Sequence, residues 1–422
     1  MGIRRVTGSI RAVNRARRVA VLSVHTSPLA QPGSGDGGGM NVYVRALAAS
    51  LARAGVACDV LTRADAPGLA PIVEVEPGFR VVHLEAGPTA PVSKHDLVDL
   101  VDDLTAAARD HLDRWRPDVL HANYWISGAV GHRLKHEMNL PLVATFHTLA
   151  RVKAEAGIDD DVEDRTRLEH EIIGCADLML ASTASEVDDL VHHYDGVRDR
   201  VAVVPPGVDH DRFNPGTPAE RAATRGALGL DDRPVLLFAG RIQPLKGADL
   251  AVRALAALED RRAVLLVVGG PSGIQGEREA AALRALSAEL GVADRIRWLP
   301  PQPHDAVAAL YRIADVCVVP SRAESFGLVA LEAAACGTPV VAAAVGGLTS
   351  IVVDGETGYL VESRAAEAYA GPIDRLLADP VLADRIGATA EARARRFGWT
   401  MTAARLRRLL NDLVSREPVS CR

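Results

Sequence analysis

Short apolar runs and longer amphipathic stretches alternate along nearly the whole chain. Residues 18–24, RVAVLSV, form an apolar run that ends at a glycine-rich loop. Residues 40–55, MNVYVRALAASLARAG, repeat apolar side chains at helical spacing and stop at Gly55, and residues 56–62, VACDVLT, are apolar again. This order predicts a strand, loop, helix and strand of the parallel type. Strand-like runs recur at 81–84, 118–121, 141–146, 178–181 and 201–204, with helical stretches between most of them. The texture then changes: residues 205–218, PPGVDHDRFNPGTP, carry four Pro and two Gly, which marks a linker. A second alternation follows, with runs at 234–240, 263–270, 295–299, 315–320 and 338–343, and the end from about Leu382 reads as helices rich in Arg and Ala. The pattern predicts an α/β chain of two doubly wound parallel-sheet domains facing each other across a cleft. The first spans 18–205 and the second 206–398. A closing helix at about 399–415 is expected to fold back on the first domain.

Composition sharpens this picture. At 422 residues the chain is too long for one ordinary domain. Aromatic residues are only 4%, which suits helices packed closely on sheets and argues against a stacking surface for single-stranded nucleic acid. The formal charge of −6 excludes the molecule as a whole from polyanion binding, so no nucleic-acid partner is expected. The first 17 residues form a basic leader without an apolar segment, read as disordered and not as a secretory signal. Residues 326–353 hold a single charge, Glu332, but Gly337, Pro339 and Gly346-Gly347 interrupt them. They read as buried helix, turn, strand and turn, so no membrane span is expected. The cysteines, at 58, 175, 317, 336 and 421, are odd in number and scattered. Neither a disulfide framework nor a zinc site is expected, and a reducing cytoplasm fits. His132/His136 and His192-His193 have no sequence neighbour that completes a metal set.

Candidate chemistry sits where strands end. The loop after the first strand, HTSPLAQPGSGDGGGMN at 25–41, places five Gly just before a helix, where backbone N–H groups and the helix terminus favour an anion. The spacing is not that of a dinucleotide fingerprint, which argues against a Rossmann oxidoreductase. Lys94, Tyr124, His147, Thr148 and Arg165 follow other strands of the first half. Each alone reads equally well as solvated surface; together they can line one cleft. In the second half Arg241 and Lys246 flank the loop GRIQPLKG at 240–247, five apart, so both can reach a diphosphate. Glu324 and Glu332 in ESFGLVALE are eight apart, a spacing that puts both carboxylates near one helix face, with Ser325 or nearby backbone as the cap.

Arg241 with Lys246, then ESFGLVALE, GTPVVA at 337–342 and Gly346-Gly347 resemble the retaining glycosyltransferases of family four, over about residues 18–415. The resemblance implies the GT-B fold, with a nucleotide sugar on the second domain and an acceptor on the first. The segments 25–44, 123–128, 147–153 and 192–195 resemble a branch that starts mycothiol biosynthesis. This branch transfers N-acetylglucosamine from UDP-N-acetylglucosamine to 1D-myo-inositol 3-phosphate. By this resemblance Lys94, Tyr124, Thr148 and Arg165 bind the acceptor phosphate. His25 and the loop Asp36, Gly37, Gly38, Gly39, Met40 and Asn41 contact the inositol. Gln31, Pro32 and Gly39 lie near the donor. Arg241 and Lys246 hold the diphosphate, Glu324 the transferred sugar, Glu332 the ribose and Gln302 the uracil, while His147 assists at the sugar. The resemblance also implies a magnesium ion near Tyr311, Arg312, Ala314 and Thr338, which the chemistry does not require, and a homodimer. Another family-four transferase, with a different sugar or a different small phosphorylated acceptor, remains open at this level. So does a non-catalytic nucleotide-sugar sensor, although such a protein could lose Glu324 or His147 and both are present here.

Overall fold

A computed structural model describes residues 15–33, 35, 37–158, 162–195, 198–272 and 276–421. Residues 1–14 of the leader and Asp36 of the glycine-rich loop lie outside the described residues. Eight strands form the first sheet: β1 (Arg18–Leu22), β2 (Ala57–Arg63), β3 (Ile72–Glu76), β4 (Phe79–Leu84), β5 (Val119–Asn123), β6 (Leu142–Thr145), β7 (Leu178–Ala181) and β8 (Val201–Val203). Their order is β3-β4-β2-β1-β5-β6-β7-β8, parallel throughout except for the β3–β4 hairpin. The second sheet is wholly parallel, in the order β11-β10-β9-β12-β13-β14. Its strands are β9 (Val235–Ala239), β10 (Val264–Val268), β11 (Ile296–Leu299), β12 (Val316–Val319), β13 (Val340–Ala343) and β14 (Gly358–Val361).

Both sheets are doubly wound, and each reverses direction at its first strand in sequence. β1 lies between β2 and β5, and β9 between β10 and β12. A crevice opens beyond the carboxyl end of such a switch strand. The two loops richest in candidate chemistry follow these two strands, 25–41 after β1 and 240–247 after β9. The topology therefore turns them toward one cleft.

Two strands went unseen in the sequence. β3 is an edge strand with Ile72 44% exposed, so its alternation lacks a buried face. β14 is four residues long and lies behind a polar turn.

The chain crosses between domains twice, and both crossings touch. Val208 N donates to Phe397 O, Thr402 Oγ1 donates to Pro205 O, and a Cβ at Gly207 would lie 2.3 Å from Trp399 N. Only glycine fits there. The closing helix Trp399–Leu413 then lays Trp399, Ala403, Leu406 and Leu410 into the core beneath helix Gly39–Arg53. The glycine-rich loop thus leads into a helix braced by the far end of the chain.

Cysteine behaves differently from expectation. Cys175, at the end of helix Val162–Cys175, meets Cys421 in the C-terminal tail as a disulfide, although 246 residues separate them. Cys58, Cys317 and Cys336 are buried and free. Sequence spacing cannot reveal a pair that only the returning tail brings together. Among the described residues no helix is long and apolar enough to cross a membrane.

Candidate active site

One cleft between the domains gathers most of the candidate side chains. Its first-domain wall includes His25, Lys94, Tyr124, His147 and Thr148, and its second-domain wall Arg241, Lys246, Gln302, Glu324 and Glu332. Pro32, Gly38, Gly39 and Met40 line it as well. Three helices, Gly39–Arg53, Ala248–Ala257 and Leu328–Ala335, begin beside these residues. Their N-termini carry unpaired N–H groups and partial positive charge, which favours an anion.

The glycine-rich loop is tied to both domains. Asn41 Nδ2 donates to Thr26 Oγ1 (2.8 Å) and Ser27 O (2.6 Å), and its Oδ1 accepts from Gly38 N (2.8 Å). Asn41 therefore shapes the loop and its carboxamide is engaged there. Gly33 O accepts from Gly270 N (2.9 Å), and Ser272 Oγ donates to Gly35 O (2.8 Å). Gln31 lies outside the lining but donates to Gln302 O (2.7 Å). Gly37 O accepts from Gly33 N (2.9 Å) within the loop. A Cβ at Gly38 would lie 3.1 Å from Arg241 Nε, so the bare backbone lets the guanidinium pass.

The first domain offers a cationic corner. Arg165 is buried on its helix; its Nε donates to Glu169 (2.7 Å) and its Nη2 to Thr148 O (2.6 Å) and Oγ1 (3.1 Å). Its guanidinium stands 5.0 Å over the Tyr124 ring, with Nη1 3.4 Å from the hydroxyl. Burial pushes the Tyr124 phenol up, yet Arg165, Lys94 and Lys153 together hold it below its ordinary value. Three cations acting on one phenol make a positively charged corner. Sequence reasoning missed Lys153, on the short helix Ala150–Glu155 that directly follows His147 and Thr148. The proximity of that helix to the strand end was the available signal. His25 packs 4.4 Å from the Tyr124 ring. Its Nδ1 is buried without a hydrogen-bond partner among the described residues. Burial, then the nearby Lys94, holds His25 neutral, well below the usual histidine range.

His147 sits at φ +61°, a backbone conformation unusual outside glycine and one that clusters at functional sites. Its Nε2 lies 2.9 Å from Asn123 Oδ1, while Asn123 Nδ2 donates to His121 O. The amide oxygen can only accept, so Nε2 carries the proton and Nδ1 keeps a lone pair. Burial, helped by His121, lowers the imidazole to about 3. It is neutral at any physiological pH, so almost no protonated form is present to donate a proton.

The second domain holds an ion pair at the heart of the cleft, Lys246 Nζ to Glu324 Oε2 at 2.7 Å. Lys246 closes a short turn after β9, and Arg241 Nη1 donates to Ser272 Oγ (3.2 Å). One expectation changes here and another narrows. Glu324 and Glu332 do not share a helix face, because the helix begins only at Leu328 and Glu324 precedes it in a loop. Of the two caps expected, Ser325 or nearby backbone, the helix uses backbone, at Gly327 with φ +101° and no side-chain bond, and Ser325 Oγ donates to His147 O across the cleft. Glycine at the cap cannot extend helical phase back to Glu324. The Glu324 backbone is instead clamped by the Gly346-Gly347 turn: Gly347 N donates to Glu324 O (2.7 Å), and a Cβ at Gly346 would lie 2.2 Å from that oxygen. Glu332, buried on the helix, accepts from Tyr311 OH (3.1 Å). Burial pushes its carboxyl up to about 7, against the pull of that bond and of Arg212.

The residues expected near a magnesium ion present a different picture. Tyr311 O accepts from Thr338 Oγ1 (2.7 Å) and Ala314 N (3.1 Å). The Arg312 guanidinium donates to Arg212 O (2.7 Å) and Asn214 O (2.9 Å). This set contains no carboxylate and already includes a cation, a poor match for a hard divalent ion. No step below passes through a metal.

Comparison with known proteins narrows the chemistry. Residues 37–212 match the Glycosyltransferase Family 4 model and residues 220–393 match Glycosyl transferases group 1. D-inositol 3-phosphate glycosyltransferase of Actinosynnema mirum is 48% identical over 403 residues, covering 92% of this chain and 96% of its own. The enzyme of the same name from Geodermatophilus obscurus is 49% identical over 92% of this chain and 87% of its own. Among solved structures, sucrose-phosphate synthase from Thermosynechococcus elongatus superposes with a TM-score of 0.88 at 33% identity, over 94% of this chain and 99% of that one. Anabaena HepE in complex with UDP-glucose shares the fold, with a TM-score of 0.76 at 22% identity over 94% of this chain and all of the other.

Proposed function

The chain belongs to the family of D-inositol 3-phosphate glycosyltransferases, within glycosyltransferase family 4 and the GT-B fold, and from that premise we propose that it moves N-acetylglucosamine from UDP-N-acetylglucosamine to 1D-myo-inositol 3-phosphate with retention, the first step of mycothiol biosynthesis. One observation carries the acceptor: Lys94, Tyr124 and Lys153 line the first-domain wall of the cleft that the Lys246–Glu324 pair lines from the other side, and Arg165 stands over the Tyr124 ring. A compact dianion fits the first wall and a diphosphate the second.

In this reading the donor diphosphate lies at the N-termini of the helices that follow β9 and β12, held by Arg241 and Lys246. Departure of UDP builds charge on the β-phosphate, and preorganised cations and N–H groups stabilise it. Glu324 holds the sugar and Glu332 the ribose, with Gln302 near the base. The acceptor hydroxyl attacks the anomeric carbon from the face that UDP leaves. Its oxygen forms the new C–O bond as the sugar–phosphate bond breaks, and its proton passes to the departing β-phosphate. A double displacement needs a carboxylate beneath the ring; Glu324, paired with Lys246, serves binding instead. Neutral His147 offers Nδ1 as an acceptor for a sugar hydroxyl. The phosphate clamp acts at a distance by positioning the acceptor.

Mass spectrometry of the products from a panel of UDP-sugars with inositol 3-phosphate tests the assignment. The expected outcome is an N-acetylglucosaminyl inositol phosphate, with free inositol a far weaker acceptor. Equal turnover of free inositol would remove the phosphate clamp from the mechanism.

A further inference from the structure

At the far ends of two helices that carry the acceptor clamp lies a cluster unrelated to the cleft. His132 and His136 stand one turn apart on helix Trp125–Met138, with ring centroids 5.1 Å apart. Cys175 ends helix Val162–Cys175, and Cys421 arrives from the C-terminal tail. His136 Nε2 lies 3.0 Å from Cys421 Sγ and 3.3 Å from Cys175 Sγ, and His132 Nε2 lies 3.6 Å from Cys421 Sγ. All four donor atoms fall within 4.8 Å of one another.

We propose that His132, His136, Cys175 and Cys421, with both thiols reduced, form a tetrahedral Zn2+ site that staples the C-terminal tail to the first domain. Two thiolates and two neutral imidazoles are the donor set of closed structural zinc sites, where Zn–S is about 2.3 Å and Zn–N about 2.0–2.1 Å. Tetrahedral angles at those bond lengths put the donors roughly 3.3–3.8 Å apart, and the observed sulfur–nitrogen separations of 3.0, 3.3 and 3.6 Å overlap the lower part of that range. A disulfide between Cys175 and Cys421 needs no imidazole, yet two ring nitrogens point at it. The disulfide and the zinc site are therefore the oxidised and reduced forms of one cluster. Zn2+ binds the reduced form by displacing one proton from each thiol to solvent.

The surroundings are built to hold the ligands. Lys135 Nζ donates to Cys175 O (2.8 Å) and to Asp177 Oδ2 (2.6 Å). Asp177 Oδ1 in turn accepts from Val419 N (2.5 Å), two residues before Cys421. The tail is thus delivered to the cluster by a buried ion pair beneath it. The consequence reaches the cleft through the two helices. Tyr124 caps the start of one and Arg165 lies in the first turn of the other, so pinning their far ends together fixes the spacing of the clamp.

The test uses the full chain, reduced with a phosphine and freed of metal, then titrated with Zn2+ and separately with Co2+. One equivalent of Zn2+ is expected to bind and to protect two thiols from alkylation. Co2+ is expected to give tetrahedral d–d bands with thiolate charge transfer. Cys421→Ser, in the exposed tail, and the double variant His132→Ala with His136→Ala are each expected to weaken binding at least tenfold. Far-UV circular dichroism of Cys421→Ser reports that the domains remain folded. Reduced protein without thiolate charge transfer, or a double histidine variant that binds Zn2+ as tightly as the parent, would overturn the site. Either result would leave the cysteines as a disulfide alone.

Discussion

The two walls of the cleft handle charge in opposite ways. On the second domain Lys246 and Glu324 form a pair 24% and 18% exposed, in short loops at the ends of β9 and β12. On the first, Arg165 and Glu169 form a pair 3% and 0% exposed, inside a helix and tied to Thr148, Ala150 and Tyr194. A pair that reaches solvent can open and let its lysine turn to a ligand. A buried pair cannot open cheaply, and the desolvation of either partner left alone is costly. The second wall is thus suited to a site whose charge changes during reaction, and the first to a rigid clamp that only positions.

The largest expected effect tests the second wall. Lys246→Ala should lower kcat by ~10²–10³, the usual range for losing one preorganised contact to developing charge. Steady-state kinetics with saturating acceptor checks it; a change confined to KM would make Lys246 a binding residue only. On the first wall Arg165→Ala should raise acceptor KM at least ~10-fold while donor binding holds, and should cost ~3–5 kcal/mol of stability by stranding Glu169. Adding Glu169→Gln should restore most of the stability and none of the acceptor affinity, which separates clamp from scaffold. Gly346→Ala should cost ~1–3 kcal/mol, because alanine is forced to φ +46° against Glu324 O. Urea denaturation gives the stability, and donor KM should rise with it as the Glu324 loop shifts.

The smallest effect is in pH. Burial raises Glu332, and Glu186 too, to about 7. The folded chain then keeps protons that the unfolded chain releases in the ordinary carboxylate range. Stability from these groups should fall as pH rises from there to about 7 and level off above it. Chemical denaturation across that window reads the slope. If the ionised Glu332 binds the ribose, donor KM should fall several-fold as pH passes 7, and Glu332→Gln should flatten the profile. His147, already neutral, should contribute no limb above pH 5.

Much of the second-domain wall, the proposed donor site, was legible in the sequence because local rules build it. A strand, a glycine turn and a helix start are read within a dozen residues, so Arg241, Lys246 and Glu324 could be placed at strand ends before any fold was known. The relation of Glu324 to Glu332 was misjudged, since a cap at Gly327 breaks helical phase in a way that spacing does not record. The acceptor site was harder. Lys94, Tyr124, Lys153 and Arg165 come from four separate elements, and Lys153 carried no local signal beyond its nearness to His147.

By itself, the sequence determined the two doubly wound sheets and the glycine loops after β1 and β9. Hydrophobic periodicity and turn chemistry act over one strand or helix, and these features are no larger. Tertiary structure decided the rest: which cations meet at Tyr124, which oxygen Ser325 reaches, and how a tail 246 residues away joins Cys175 beside two histidines. Such contacts depend on where whole elements dock, and docking is set by the burial of many side chains at once rather than by any spacing along the chain.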